Sequence, residues 1–244
     1  MIIKWDALPE KMKNESVRKY YDILHKKRLS LVCKRIFDIV AAIFLLILFS
    51  PLFIIISIAI KIDSGGPVIF RQVRVTQYGK RFMIFKFRTM VNDADKTDKK
   101  LTLKNDPRIT RVGRFLRKYR LDEIPQLFNI INGTMSFVGP RPEVEKYVQH
   151  YSDEMMATLL VPAGVTSEAS IRYKDEEQLL VNAENADEIY IQKILPKKMK
   201  CNLKSLEEFS FFNELKIIIR TVFAVIKRGS IEIDDNRRRS IEVN

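Results

Sequence analysis

A chain of 244 residues that is 46% hydrophobic and 30% charged, with a formal net charge of +13, is too apolar for wholesale disorder. Its length suits one well-packed domain, with or without membrane elements. The positive charge indicates a polyanionic partner: nucleic acid, an anionic membrane surface or a phosphorylated substrate. The two cysteines and two histidines disfavour a disulfide framework, zinc catalysis and a Ser-His-Asp triad, and indicate a reduced, cytosol-facing protein.

The first segment, residues 10–30, has the pattern of a basic helix. Apolar residues recur at helical spacing among its lysines and arginines, namely Val17, Tyr20, Tyr21 and Leu24. Such a helix either lies on an anionic leaflet or is simply solvated, and the pattern does not choose between the two.

The next segment is an apolar run from Ile36 to Ile60, with Ser50 and Pro51 near its middle. Its length of about 25 residues would extend roughly 37 Å as a straight helix, which is enough for a hydrocarbon core about 30 Å thick. Asp38 is close enough to the start for its carboxylate to reach the interface. Pro51 removes a backbone donor, at about 3 kcal/mol in an ordinary helix. Membrane helices tolerate this when a hydroxyl such as that of Ser50 satisfies the freed carbonyl.

Basic residues flank the apolar run on both sides: Lys26, Lys27, Arg28, Lys34 and Arg35 before it, and Lys61, Arg71, Arg74, Lys80 and Arg81 after it. Because basic residues next to a membrane segment stay on the cytoplasmic side, neither end of the run is clearly assigned to the outer side of the membrane. Broken at Ser50-Pro51, the run has limbs of about 22 Å and 15 Å, each too short to cross the core. A kinked span and a re-entrant hairpin both remain open on these grounds.

The rest of the chain predicts a small β-hairpin followed mostly by helices, so the fold class is α+β and mostly helical. PVIFRQVRV and RFMIFKFRTM flank a turn at QYGK. PQLFNII begins at Pro125 and stops before Gly133, the usual start and stop of a helix. Three further stretches predict helices: ITRVGRFLRKY, EVEKYVQHYSDEMMATLL and residues 206–228. The first places its apolar residues on one stripe, namely Ile109, Val112, Phe115, Leu116 and Tyr119. The last is interpreted as a core or interfacial helix.

The strongest candidates for chemistry are the adjacent carboxylates Asp122 and Glu123, just before Pro125. Since proline is favoured in the first turn of a helix, the pair should lie at or just outside a helix N-terminus, where anions are stabilised. An ionised Asp122 can attack phosphorus, and Glu123 can hold a magnesium ion against the same phosphate. The alternative is that the two residues are an ordinary helix cap.

Basic residues surround this pair in the sequence. Arg141 lies between two prolines that restrict its backbone, and Arg114 and Arg117 are spaced to share a helix face. Lys86 and Arg88 lie on the same side of a predicted strand. Forked guanidinium donors suit phosphate oxygens, although a solvated basic face explains the same pattern. Asp93 and Asp95 form a D-x-D pair, which resembles the metal site of many nucleotide-sugar transferases. Because spacing alone is a weak signal, the pair is interpreted as part of a loop.

Taken together, these motifs resemble the bacterial sugar transferases known as monotopic phosphoglycosyl transferases. The resemblance runs from about Leu31 to Arg228 and carries, in family order, KRIFDI, FSP, GGPVIFRQ, KFRTM, LDEIPQL and SFVGPRP. It implies an enzyme at the cytosolic face of the bacterial inner membrane that moves a sugar 1-phosphate from a UDP-sugar to undecaprenyl phosphate and releases UMP. Products of this kind initiate surface glycans such as exopolysaccharide, O-antigen and capsule.

The resemblance also implies roles for residues that match the family motifs. Asp122 would form a covalent phosphosugar intermediate, and Glu123 would help to hold Mg²⁺. Arg117 and Arg141 would contact phosphate or the nucleotide. The Ser50-Pro51 pair would break a re-entrant helix that dips into the inner leaflet.

The implied organisation has four parts: an N-terminal basic helix (1–30), a re-entrant membrane hairpin (31–62), a cytosolic catalytic domain with interfacial amphipathic helices (63–230) and a frayed polar tail (231–244). The chain departs from the family at PAGVTSEASIRYKDEEQLL from Pro162, a stretch expected near the nucleotide sugar. A rival hypothesis is a membrane-anchored basic module that binds anionic lipid or nucleic acid without catalysis. A second rival is a glycosyltransferase that passes on the sugar alone and releases UDP.

Overall fold

The computed structural model of the chain describes residues 2–92, 94, 106–173 and 186–225. Within these ranges the protein is α+β and mostly helical, as the sequence predicts. The helices are α1 (Glu15–Lys26), α2 (Arg28–Leu48), α3 (Ser50–Asp63), α4 (Arg111–Lys118), α5 (Gln126–Ile131), α6 (Glu145–Val148), α7 (Glu168–Arg172), α8 (Ala186–Ile189), α9 (Leu195–Glu207) and α10 (211–225). The D-x-D pair and the tail 231–244 lie outside the described residues.

Two small sheets position the loops of the domain. β1 (Ile69–Val75) and β2 (Arg81–Phe87) form the predicted antiparallel hairpin. β3 (Met135–Val138) and β4 (Ala163–Thr166) form a parallel pair that the sequence did not reveal. A Cβ on Gly164 would lie 2.1 Å from the backbone nitrogen of Gly139, so only glycine allows the two strands to approach this closely.

The break in the apolar run separates α2 from α3. Ser50 Oγ donates to the carbonyl of Ile47 at 2.8 Å, and Pro51 lies in the first turn of α3, where no N–H is required. The two helices meet at a bend of 62°. No single helix among the described residues is both long and apolar enough to cross a bilayer, whereas α2 and α3 together have sufficient length and apolar character.

The first half of α2 is docked on the domain through its polar side chains. Arg35 donates to the carbonyls of Ile130 and Ile131 at 2.6 and 2.9 Å. Lys34 is buried and donates to the carbonyl of Val138 and to Glu214. Asp38, only 2% exposed, accepts hydrogen bonds from the Ser136 hydroxyl (2.7 Å) and the Phe137 amide (3.2 Å). These residues therefore have partners in the domain, in place of the interfacial role that the sequence suggested for Asp38.

The outer face of the α2–α3 pair carries large apolar side chains that are at least 44% exposed: Ile36, Val40, Ile43, Phe44, Ile47, Leu48, Ile54, Ile55, Ile58 and Ile62. Four side chains of α10 extend this apolar character, namely Phe212, Ile219, Val222 and Phe223. Monomeric soluble proteins rarely expose so many large apolar side chains on a few helices. We refer to these fourteen residues as the apolar face.

The N-terminal helix α1 packs into the domain. Asn14 caps it by accepting from the Val17 amide at 2.9 Å. The predicted apolar stripe is at most 5% exposed and joins a core cluster with residues of 157–161 and of α9. Lys27 donates to the carbonyl of Phe209, and Tyr20 to Glu154. The apolar stripe is therefore covered by protein. The two sequence-based alternatives, a leaflet and solvent, concern only the basic face of α1, where Arg18, Lys19 and Lys26 are exposed.

Three helical predictions need correction. The stripe on α4 has Leu116 in the core, but Phe115 is 56% exposed. The single helix predicted from Glu143 is divided into the short α6 and a 3-10 helix at Met155–Leu160. The helix predicted over 206–228 ends and restarts, because α9 stops at Glu207 and α10 begins at 211.

Candidate active site

Asp122 and Glu123 lie in a one-turn 3-10 helix, Leu121–Glu123, immediately before α5. The sequence predicted this place at a helix start. Arg120 precedes the pair in the left-handed conformation, with φ 57° and ψ 20°, and so turns the chain after α4. Such a backbone is uncommon for a residue with a side chain and occurs often at functional sites. Both carboxylates are buried, with 7% and 9% of the residue exposed.

Three cations from separate parts of the chain converge on Glu123 Oε1. Arg141 Nη2 is 3.0 Å away, Lys86 Nζ is 3.3 Å away and Arg120 Nη1 is 3.6 Å away. Lys86 comes from β2, and Arg141 from the loop that follows β3. The site thus joins the two sheets and the turn before α5 around one carboxylate.

These charges separate the proton affinities of the two carboxyls. Burial raises the pKa of Glu123, but the charges of Arg141, Lys86 and Arg120 act more strongly, and the net pKa is well below its ordinary value. Burial and then the negative charge of Glu123 raise the pKa of Asp122, and the nearby cations only partly offset them. Glu123 is therefore the carboxylate that is held ionised, and Asp122 is the more basic of the two.

Asp122 Oδ1 is buried and has no hydrogen-bond partner among the described residues. The same is true of the side-chain Nε2 of Gln126, one turn further along. A buried polar atom without a partner costs about 1–3 kcal/mol, so the pair indicates a position for a ligand, ion or water.

The residues fit a magnesium ion. Mg²⁺ is usually held by one or two carboxylates together with waters and substrate phosphates, which matches the unpaired oxygen of Asp122 beside Glu123. No group of three or more His, Cys, Asp or Glu that could form an all-protein metal site occurs in the described part of the chain.

The other predicted site residues divide into two groups. Arg117 is half-buried, and its positive charge is among those that lower the pKa of Asp122. Arg114 is exposed and donates weakly to the carbonyl of Ile109 at 3.4 Å. Arg88 donates to Ser64 at the end of α3. Lys86 and Arg141 therefore contact Glu123, and Arg117 acts on Asp122 through its charge. Within the described part of the chain, no contact links Arg88 or Arg114 to either carboxylate. Ser50 and Pro51 lie at the bend between α2 and α3.

Sequence reasoning missed the groups that hold the loop of Arg141. Arg74 Nη1 donates to the carbonyl of Pro142 at 3.2 Å, and the Val75 amide donates to the carbonyl of Glu143 at 3.0 Å. On the other side, the buried Glu143 carboxylate accepts from the Tyr190 hydroxyl at 2.6 Å and from the ammonium of α9 residue Lys198 at 3.4 Å. No local pattern signals such contacts, because their partners are 47 to 68 residues apart.

The stretch that departs from the family pattern lies next to this loop. It is described as far as Tyr173 and begins with β4, whose Gly164 amide donates to the carbonyl of Pro140 at 2.9 Å. Thr166 and Glu168 then contact α10 through Thr221 and Arg220. The altered residues therefore connect the arginine loop to α10, and the rest of the stretch, 174–180, is outside the described residues.

Comparison with known proteins identifies the class. A family model described as bacterial sugar transferase matches residues 29–228. This is more than half of the chain, and the protein belongs to the bacterial sugar transferase family. The matched range leaves out most of the N-terminal segment that contains α1.

Individual relatives are similar over the same part of the chain. A UDP-glucose:undecaprenyl-phosphate glucose-1-phosphate transferase of Escherichia coli is 38% identical over 195 residues, 78% of this chain and 39% of the relative. An undecaprenyl-phosphate galactose phosphotransferase of Salmonella typhimurium is 44% identical over 155 residues, which are 57% of this chain and 32% of the relative. An uncharacterized sugar transferase of Bacillus subtilis is 35% identical over 202 residues, which are 83% of this chain and 91% of the relative. The chain thus matches about two fifths or less of the first two relatives.

Proposed function

We propose that the protein is a phosphoglycosyl transferase that moves a sugar 1-phosphate from a UDP-sugar to undecaprenyl phosphate and releases UMP. The observation that carries the proposal is the buried Asp122 carboxylate, with one oxygen unpaired, beside a glutamate held by three cations. The names of the Escherichia coli and Salmonella typhimurium relatives, which describe undecaprenyl-phosphate sugar phosphotransferases, support the same reaction.

In the first step, an oxygen of Asp122 attacks the phosphorus that carries the sugar. The bond from this phosphorus to the bridging oxygen breaks, UMP leaves, and the sugar phosphate is joined to Asp122. In the second step, a phosphate oxygen of undecaprenyl phosphate attacks the same phosphorus, and the bond to Asp122 breaks. The products are undecaprenyl diphosphate-sugar and a free carboxylate, so one site serves a soluble donor and a lipid acceptor in turn.

The main obstacle to this chemistry is repulsion between the carboxylate and the phosphates. Arg117 and Arg141 are the side chains that we assign to phosphate or nucleotide contacts, because forked guanidinium groups match phosphate oxygens. Lys86 and Arg120 hold Glu123 ionised and add to the positive field. A magnesium ion held by Asp122 and Glu123 would supply further neutralisation of the phosphate charge.

The apolar face supports a membrane position for the site. We propose that α2 and α3 form a re-entrant hairpin in the inner leaflet of the bacterial cytoplasmic membrane, with the domain on the cytosolic side. The bend of 62° and the docking of the first half of α2 on the domain leave little length for a span. An enzyme anchored in this way meets the acceptor phosphate at headgroup height.

The nucleotide product tests the proposal. We expect purified protein with Mg²⁺, undecaprenyl phosphate and a panel of UDP-sugars to release UMP with at least one sugar. Release of UDP would favour a transferase that passes on the sugar alone. No nucleotide product with any sugar, together with binding to anionic vesicles or nucleic acid, would favour the basic module.

The topology has a separate test in cells. Lys11→Cys and Lys80→Cys, two exposed positions before and after the hairpin, are introduced singly after Cys33 and Cys201 are replaced by serine. We expect both cysteines to be shielded from a membrane-impermeant thiol reagent and to react once the cells are permeabilised. Reaction of one position in intact cells would instead show that α2 and α3 cross the membrane.

A further inference from the structure

The side chain of Arg88 is a buried cation that the site described above does not use. It is 6% exposed, and its Nη2 donates to the carbonyl and the hydroxyl of Ser64 at 2.6 and 3.0 Å. Its Nε and Nη1 are buried and have no hydrogen-bond partner among the described residues. Native proteins rarely leave a buried guanidinium with two donors unpaired, because burying a charge without a partner is costly.

Asp63, the carboxylate directly before Ser64 in the chain, has partners other than Arg88. It accepts from the Val112 amide at 2.9 Å, and its pKa is lowered first by a hydrogen bond with Thr110 and by this amide, and further by the charges of Arg111 and Arg114. Asp63 therefore serves the start of α4. Arg88 forms no ion pair with a carboxylate within the described ranges, so no counter-ion for its positive charge lies among these residues.

The turn after α3 fits closely around this guanidinium. A Cβ on Gly66, whose φ is +108°, would lie only 2.3 Å from Arg88 Nη1. By contrast, a Cβ on Gly65 would meet no atom within 4 Å, so this side of the turn is open. The turn therefore has a closed side against Arg88 and an exposed side at Gly65.

An apolar strip leads to the same turn. Ile54, Ile58 and Ile62 recur every four residues on α3, and they are 61%, 55% and 81% exposed. The strip ends directly before Ser64 and Arg88. An exposed apolar helix face that ends at an unbalanced cation matches a lipid with an apolar chain and a phosphate head.

We propose that Arg88 and the Ser64–Gly66 turn bind the phosphate of the polyprenyl phosphate acceptor, with its chain along α3. Arg88 is two residues beyond Lys86, which contacts Glu123, so the two α-carbons are roughly 7 Å apart in extended backbone. The acceptor head would thus be held by the same segment of chain that brings Lys86 to Glu123. This inference rests on the proposed function for the identity of the lipid, and it assigns Arg88 to the acceptor and not to the nucleotide.

Binding of undecaprenyl phosphate to the purified protein in detergent, followed by native mass spectrometry, tests the proposal. We expect Arg88→Met to weaken binding about tenfold or more, as loss of a charge-assisted phosphate contact predicts. Arg88→Lys, which keeps the charge but lacks the forked donors, should weaken it less. Arg71→Met, at an exposed arginine of the neighbouring strand β1, is the matched control and should bind as the wild type does.

A second measurement separates acceptor binding from general damage. With a UDP-sugar and no acceptor, the burst of UMP should stay within about twofold of wild type in Arg88→Lys and Arg88→Met, since the first step does not need this site. Unchanged acceptor binding in both variants would overturn the proposal, as would an equal loss of burst and binding. An effect only on binding to phosphatidylglycerol vesicles would assign Arg88 to bulk phospholipid and also overturn it. If wild type binds undecaprenyl phosphate through Arg88 but never releases UMP, the proposed function fails and this site stands.

Discussion

Asp122→Asn is expected to reduce turnover at least about a thousandfold, because the amide retains the shape of the side chain but cannot act as the nucleophile. The loss should appear in the burst of UMP without acceptor as well as in the full reaction, since both steps need the carboxylate. UMP release under saturating UDP-sugar, with and without undecaprenyl phosphate, measures this effect. Asp153→Asn, at an exposed aspartate, is the matched control and should retain wild-type turnover.

The same substitution should not destabilise the protein. Because burial and the charge of Glu123 raise the pKa of Asp122, the folded state binds this proton more tightly than the unfolded chain. The stability lost through ionisation of Asp122 therefore grows as the pH rises from the ordinary aspartate pKa to the raised pKa, is complete above the raised pKa, and is absent below the ordinary value. Asparagine is neutral, so we expect the melting temperature in EDTA at neutral pH to equal or exceed that of wild type. Full turnover in Asp122→Asn, or a loss explained by unfolding, would contradict the assignment.

The second large effect concerns the buried ion pair between Lys34 of α2 and Glu214 of α10, whose side chains are 8% and 11% exposed. Lys34→Met removes one partner and leaves the other charge buried, which typically costs about 3–5 kcal/mol. We expect a loss of this size in the free energy of denaturant unfolding. The Lys204–Glu208 pair, 67% and 61% exposed, provides the control, and Lys204→Met should leave stability nearly unchanged.

Two further observations distinguish a buried pair from simple loss of packing. Burial raises the pKa of Glu214, and Lys34 offsets this only in part. In Lys34→Met the offset is gone, so stability should recover as the pH is lowered and Glu214 is protonated. The double variant Lys34→Met/Glu214→Leu should regain most of the lost stability, because apolar replacement of both partners is often neutral. A double variant as unstable as the single one would show that the charge pair is not the cause.

Local signals made several elements predictable from the sequence. The strands of the hairpin, the break at Ser50-Pro51 and the helix that starts after Pro125 depend on a turn, a proline and a capping position, which act within a few residues. The grouping of Asp122 and Glu123 at a helix start follows from the same proline rule. The place of Lys86 and Arg141 at the carboxylates agrees with the basic cluster around them, but the sequence alone could not supply the distances.

Other features depend on contacts between distant parts of the chain. β3 and β4 have four residues each and pair in parallel across an intervening 24 residues, so neither has a local pattern long enough to recognise. Lys34 was interpreted as a flanking charge because its partners, Val138 and Glu214, are more than 100 residues away. Arg88 was expected to act with Lys86, but β2 ends at Phe87, and the strand alternation that linked the two residues ends with it.

The covalent intermediate is the central claim, and trapping it is the most direct measurement. Purified protein is incubated with Mg²⁺ and the productive UDP-sugar without acceptor, quenched, digested and analysed by mass spectrometry. We expect an added sugar phosphate on Asp122 that is lost when undecaprenyl phosphate is supplied and is absent in Asp122→Asn. Release of UMP by wild-type protein without any such adduct, or with an adduct on a different residue, would contradict it.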